Sequence, residues 1–135
     1  MGMREIDEKY LDVMQNIESV IISAYKDDKS ISDYSVMSIL EALINMYTVE
    51  VTRRQPRPVK LSPQEQILFE GVREICEWRL GRGTLKDNLG QSKVDVGKKT
   101  VEEILIILKR LLKSVKFWNR EEGRQGYLNY IRRFL

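Results

Sequence analysis

The sequence predicts an all-α fold, with four long helices in two antiparallel hairpins forming a bundle plus a short C-terminal helix. Three observations carry this prediction. Apolar residues recur at alternating spacings of three and four through most of the chain. The helix-start signal Ser/Thr-x-x-Glu stands at Ser62 and again at Thr100. Only three prolines and eight glycines occur in 135 residues, and most fall between the periodic stretches.

The first helix, about 4–26, is drawn by Ile6, Tyr10, Val13, Ile17, Val20 and Ala24, which line one face. Lys26 to Lys29 (KDDK) breaks the pattern as a turn. Ser32 is then a good N-cap, with Ile31 placed to staple onto Val36. In the second helix, 33–52, the only charges between Tyr34 and Thr52 are Glu41 and Glu50. Its apolar arc (Val36, Met37, Leu40, Leu43, Ile44, Tyr47, Val51) covers about half the circumference. Small neutral residues (Ser35, Ser38, Asn45, Thr48) fill the rest, the pattern of a central helix touched on several sides.

Residues 53–61 (RRQPRPVKL) read as a proline-containing linker, because Pro56 and Pro58 favour extended backbone. Ser62-Pro63-Gln64-Glu65 starts the third helix, 63–80, with proline at its first position. Its apolar face is read as Ile67, Leu68, Val72, Ile75 and Trp78, with Gly71 permitting a close crossing by a neighbour. Gly81 ends it. A long loop, 81–99, holds one helical turn beginning at Thr84. Thr100 caps a fourth helix, 101–118, and Asn119-Arg120-Glu121-Glu122 caps a final one, 120–135, through Tyr127, Leu128, Ile131 and Phe134.

A chain of this length is expected to form one domain, 1–135. Cys76 stands alone, so no intrachain disulfide forms and a reducing compartment is expected. The opening MGMREIDEKY is too charged for a secretory leader, and Ile6 occupies the position where a myristoylation pattern on Gly2 needs a hydroxyl. The longest apolar run, Ile104 to Leu108, falls far short of the roughly 20 residues of a membrane span. A cytoplasmic protein with no membrane association is the expectation.

Histidine is absent, which removes Ser-His-Asp and Cys-His catalysis, the Glu-x-x-His ligands of di-iron bundles and most zinc sites. Cys76, among apolar neighbours, reads as a buried and inert thiol. For Mg²⁺, which needs only oxygen ligands, the best pair on one helix is Glu74-x-x-Glu77. The second pair that all-α pyrophosphohydrolases require on a facing helix fails, because Leu105 and Ile106 follow Glu102 and Glu103. Glu5, Glu8 and Asp12 read as solvated surface. Gly97-Lys98-Lys99-Thr100 is not a phosphate loop, since lysine takes the hydroxyl position and no strand precedes it. The expectation is a non-enzymatic chain without catalytic residues, metal or cofactor.

Charge is divided unevenly. Residues 1–52 hold four Lys and Arg against ten Asp and Glu, and residues 53–135 hold nineteen against ten. Lys109, Lys113, Lys116 and Arg120 form one helical stripe, with Arg124 beyond it, and make a candidate polyanion surface. Arg53, Arg54, Arg57 and Lys60 in the linker can extend it. Ile106 and Phe117 fall on that charged side, while Leu11 and Ile22 lie off the main face of the first helix. These four are the candidate interface residues. The first functional reading is a helical protein-interaction module, homodimeric through its helix faces. The alternatives are a nucleic-acid-binding protein using the basic C-terminal helices and a carboxylate-metal phosphohydrolase at Glu74 and Glu77. A solvated outer face with local packing of Phe117 explains the same stripe without any function. Gly123 and Gly126 read as a bend before the last helix, with an anion-binding nest as the rival account.

Overall fold

A computed structural model describes residues 10–55, 57–82 and 98–134. Helix α1 is Leu11–Asp27, α2 Asp33–Thr52, α3 Pro63–Arg79, α4 Lys98–Glu122 and α5 Gly126–Ile131, which runs into a 3-10 turn at Arg132–Phe134. No strand occurs among the described residues. The expected helical start at residues 4–9, with Glu5 and Glu8, lies outside them. So do Pro56, the turn at Thr84 with loop residues 83–97, and residue 135.

The fold class is the expected one: four long helices in a bundle and a short C-terminal helix. Helix α4 runs antiparallel to both α2 and α3. Asp33, at the start of α2, meets Asn119 at the end of α4, and Arg79, at the end of α3, meets Glu103 near the start of α4. The C-terminal turn of α1 lies over the N-terminal turn of α3, where Asp27 and Gln64 line one groove.

Packing between the hairpins is closer than packing within them. Among the four long helices the most extensive contacts are α2 with α4, α1 with α3 and α2 with α3, so the two hairpins interlock. The linker makes this possible. Arg53 adopts a left-handed conformation (φ 60°) and turns the chain out of α2. The backbone of Arg57 is then held on the outer side of α2, where Asn45 Nδ2 donates to the Arg57 carbonyl at 2.6 Å and the Arg57 N–H donates to Asn45 Oδ1 at 3.2 Å. A linker of ten residues can reach at most about 33 Å, and the 20 residues of α2 span about 30 Å. The strap therefore returns the chain to the start of α2, and α3 runs parallel to α2. Tyr47 and Glu77, late in their helices, meet as a result.

Helix α2 is the central helix its composition suggested, with Val36, Ile39, Leu40, Leu43 and Tyr47 fully buried. They pack in one core with Ile17 and Ile21 of α1, Val72 and Cys76 of α3, Leu108, Leu111 and Val115 of α4, and Ile131 of α5. Ser32 and Ser62 start their helices as expected. The Ser32 N–H donates to Ser35 Oγ at 3.2 Å, and Ser62 Oγ accepts from the Glu65 N–H at 3.1 Å. At Gly71 an added Cβ would stand 3.2 Å from a Val20 methyl, the close crossing that its glycine foreshadowed.

Three expectations are corrected. Ile67 and Trp78 do not face the core: they are 74% and 61% exposed. The apolar residues of α3 spread over more of its circumference than α1 and α2 cover, and the contact at Gly71 seats α1 on the Leu68–Val72 side. Helix α4 begins at Lys98 rather than at a Thr100 cap, and it continues through Glu122. Asn119 therefore works inside its last turn: its carbonyl accepts from the Gly123 N–H at 2.8 Å and its Nδ2 donates to the Gly123 carbonyl at 3.0 Å. Consequently α5 begins at Gly126, not at residue 120.

The bend between α4 and α5 needs both glycines. Gly123 has φ +87°, and a Cβ on Gly126 would collide with the backbone carbonyl of Trp118. The Gly126 N–H donates to the Gly123 carbonyl at 2.9 Å, so these amides close a turn rather than face an anion. Gly126→Ala is expected to lower unfolding stability by more than about 2 kcal/mol, the scale of a forced backbone shift in a packed site. Urea denaturation measures this, and a loss below about 0.5 kcal/mol would show that the turn relaxes freely.

Candidate functional site

Two polar knots, each centred on a buried carboxylate, fasten the ends of the bundle. At one end Tyr47 OH donates to Glu77 Oε2 at 2.6 Å, while Arg82 Nε donates to Glu77 Oε1 at 3.0 Å. The same guanidinium reaches Glu50 through Nη1 at 2.6 Å and Nη2 at 2.9 Å. Burial pulls the Glu77 carboxyl upward, but Arg82 and Tyr47 outweigh it and hold it below the ordinary glutamate range. Of the Glu74–Glu77 pair, Glu77 is thus engaged by Arg82 and Tyr47, while Glu74 stands exposed. Cys76 beside it is fully buried, and burial pushes its thiol up to about 12, far from a reactive thiolate. Among the described residues no cluster of three His, Cys, Asp or Glu is placed to hold a metal ion.

At the other end Asp33 is fully buried. It accepts from the Tyr25 hydroxyl, from the Tyr127 N–H at 3.1 Å and from Asn119 Nδ2 at 3.3 Å. Its own N–H donates to the Arg124 carbonyl at 3.0 Å. Burial raises the carboxyl above its usual range despite these donors. One side chain thus ties α1, α2, α4 and α5 together.

The outer face of α4 is different, because most of its side chains are exposed. Ile106 and Phe117 are 45% and 44% exposed. Lys109, Lys113, Lys116 and Arg120 are exposed beside them, so the predicted basic stripe forms with its two apolar members in place. Lys116 Nζ lies 3.8 Å from Glu41 of α2, and the Arg120 guanidinium sits 5.7 Å from the Phe117 ring centre. Phe117 also meets Trp118 edge-on at 5.0 Å, and Trp118 stacks on Tyr130 at 4.8 Å, which joins the face to α5. Arg124 is exposed at the α4–α5 turn, past the end of the helical stripe. Leu11 and Ile22 of α1 are half-buried, and Ile22 packs against the core.

Residues read from the sequence as core stand on a second outer face. Ile67 and Trp78 lie three turns apart on α3 with the exposed Glu70 and Glu74 between them. Ile67 also borders a half-open groove of about 460 Å³ between α1 and α3, with Val20, Ala24, Ile31 and Leu68 in its walls. Among the described residues, Asp27 and Asp28 are the only charged ones lining it. Two hydrogen bonds from Ser30 keep the Asp28 carboxyl below its ordinary value, so it stays ionised. The exposure of Ile67 and Trp78 depends on which side of α3 its neighbours take, and helical spacing does not carry that information.

No family model matches the sequence, no curated protein is similar to it, and no solved structure matches it. No helix among the described residues is long and apolar enough to cross a membrane.

The depressed Glu77 carboxyl fixes a sign. Its stabilising contribution is complete above the glutamate range of an unfolded chain, and it is lost as pH falls through the lower folded value. Glu77→Gln is expected to lower stability at pH 7 by about 1–3 kcal/mol. It should also flatten the loss of stability between neutral and strongly acidic pH. Urea midpoints for both proteins across that range check this, and an unchanged acid slope would show that Glu77 is not the group responsible.

Proposed function

We propose that this chain is a non-catalytic helical module that docks a protein partner through the outer face of α4. The observation that carries this reading is the exposure of Ile106 and Phe117, three turns apart, within a row of four cations. A solvated helix face has no need of large apolar side chains. Covering the area each still exposes could contribute on the order of 1 kcal/mol apiece. The surrounding lysines and arginine select an acidic partner surface and hasten its encounter. They also oppose an interface in which this stripe meets its own copy, since Lys113 would face like charge across the two-fold axis.

A polyanion reading draws on the guanidinium of Arg120 beside an exposed ring, an arrangement on which nucleic-acid bases can stack. Salt separates the two. Phosphate contacts weaken steeply with ionic strength, whereas covered apolar side chains hardly respond.

A photo-crosslinking residue in place of Lys113, compared with one in place of the exposed Ser19 of α1, tests the docking face in the native host. Position 113 is expected to give a protein adduct that Phe117→Ala abolishes, and position 19 none. An adduct destroyed by nuclease would favour the polyanion reading instead. Equal labelling at both positions would remove the case for this face.

A further inference from the structure

The outer faces of α3 and α4 are built to the same spacing with opposite charge. On α4 an apolar residue, two cations and an aromatic stand at Ile106, Lys109, Lys113 and Phe117. On α3 an apolar residue, two carboxylates and an aromatic stand at Ile67, Glu70, Glu74 and Trp78. Both sets follow offsets of zero, three, seven and eleven, which place all four side chains on one narrow helical stripe about 16 Å long. All eight residues are exposed. The α3 set includes one internal ion pair, in which Arg73 Nη1 reaches Glu70 Oε1 at 3.0 Å, while Glu74 has no cation within such reach among the described ion pairs.

We infer that the acidic surface docked by α4 is the α3 face of a second copy of this chain, the two helices packing antiparallel. This rests on the reading of α4 as a docking face and names its occupant. In the antiparallel register Ile106 covers Trp78 and Phe117 covers Ile67. Lys109 then lies opposite Glu74, and Lys113 opposite Glu70. The register also brings Phe117 to the groove between α1 and α3, where the walls are apolar. Arg120, one turn further along α4, falls beside Asp27 and Asp28 at the rim. A parallel crossing would carry Arg120 past the C-terminal end of α3, where Arg79 and Arg82 stand.

Because the two faces differ, the contact is head-to-tail. It propagates from copy to copy until it closes into a ring or ends as a short chain. Asp27 and Asp28 of the acidic N-terminal part and Arg120 of the basic C-terminal part thus become complementary between molecules. Charge steers the register while Phe117, Ile106, Trp78 and Ile67 supply the covered surface.

Sedimentation of the full chain from low to high micromolar concentration tests this. The wild type is expected to rise above monomer mass and to fall back in ~0.5 M salt only in part. Lys109→Glu with Lys113→Glu should be monomeric, as should Glu70→Lys with Glu74→Lys, and an equimolar mixture of the two should associate again. Circular dichroism confirms that each variant keeps its helices. Should either misfold, Trp78 fluorescence in a Trp118→Phe background gives an independent reading: its emission is expected to shift to the blue with concentration, and Phe117→Ala should abolish the shift. A wild type that stays monomeric, association untouched by the α3 reversal, or a mixture that fails to associate would each overturn the inference. A monomer that still crosslinks a different protein from position 113 would overturn the self-contact alone. Loss of both signals would remove the docking face as well.

Discussion

The arrangement of this bundle turns on a linker strap held at Arg57 against its central helix. Without the paired hydrogen bonds between Asn45 and the backbone of Arg57, residues 53–62 would have no reason to follow α2, and a short turn would set α3 antiparallel to it. The strap instead delivers the chain back to the start of α2. The late turns of α2 and α3 then share one end of the bundle, and Tyr47, Glu77, Arg82 and Glu50 come within hydrogen-bonding distance. The Tyr47–Glu77 and Glu50–Arg82 contacts join residues 30 and 32 positions apart in the chain, and both depend on α3 running parallel to α2.

The same constraint decides what is left uncovered. Because α1 seats itself on α3 at Gly71, and α2 takes the opposite flank, the Ile67–Trp78 edge of α3 is covered by neither. Helix α4 packs on α2 and α5, and its third side faces outward with Ile106 and Phe117. The buried carboxylates show the contrary economy. Asp33 and Glu77 each accept from several donors and join segments that would otherwise meet only through apolar contact. Buried ionic groups of this kind specify a geometry more reliably than they add stability. Fixing the ends of the helices in register is what keeps the two outer stripes straight and available.

Much of the candidate site was legible in the sequence. The stripe of Lys109, Lys113, Lys116 and Arg120 with Ile106 and Phe117 follows from helical periodicity alone, since one unbroken helix carries all six residues. The matching stripe on α3 was not legible. Ile67 and Trp78 sit at the edge of a broad apolar arc, and periodicity cannot say which part of such an arc its neighbours will cover. Glu74–Glu77 looked like a cation-binding pair because the sequence does not show that Arg82, one turn past the helix, closes on Glu77. In the same way Asn119 resembled a helix cap until the turn at Gly123 placed it inside α4.

By itself the sequence determined the all-helical class, the starts of α2 and α3, the central character of α2, the burial of Cys76 and the basic face of α4. All of these follow from side chains within a few turns of one another, where spacing and capping act locally. Tertiary structure decided the parallel course of α2 and α3, the interlocking of the hairpins, the commitment of Glu77 and Asp33 to structural knots, and the exposure of Ile67 and Trp78. Those outcomes depend on contacts between distant segments, and they were settled only when a strap of ten residues matched the length of the helix it follows.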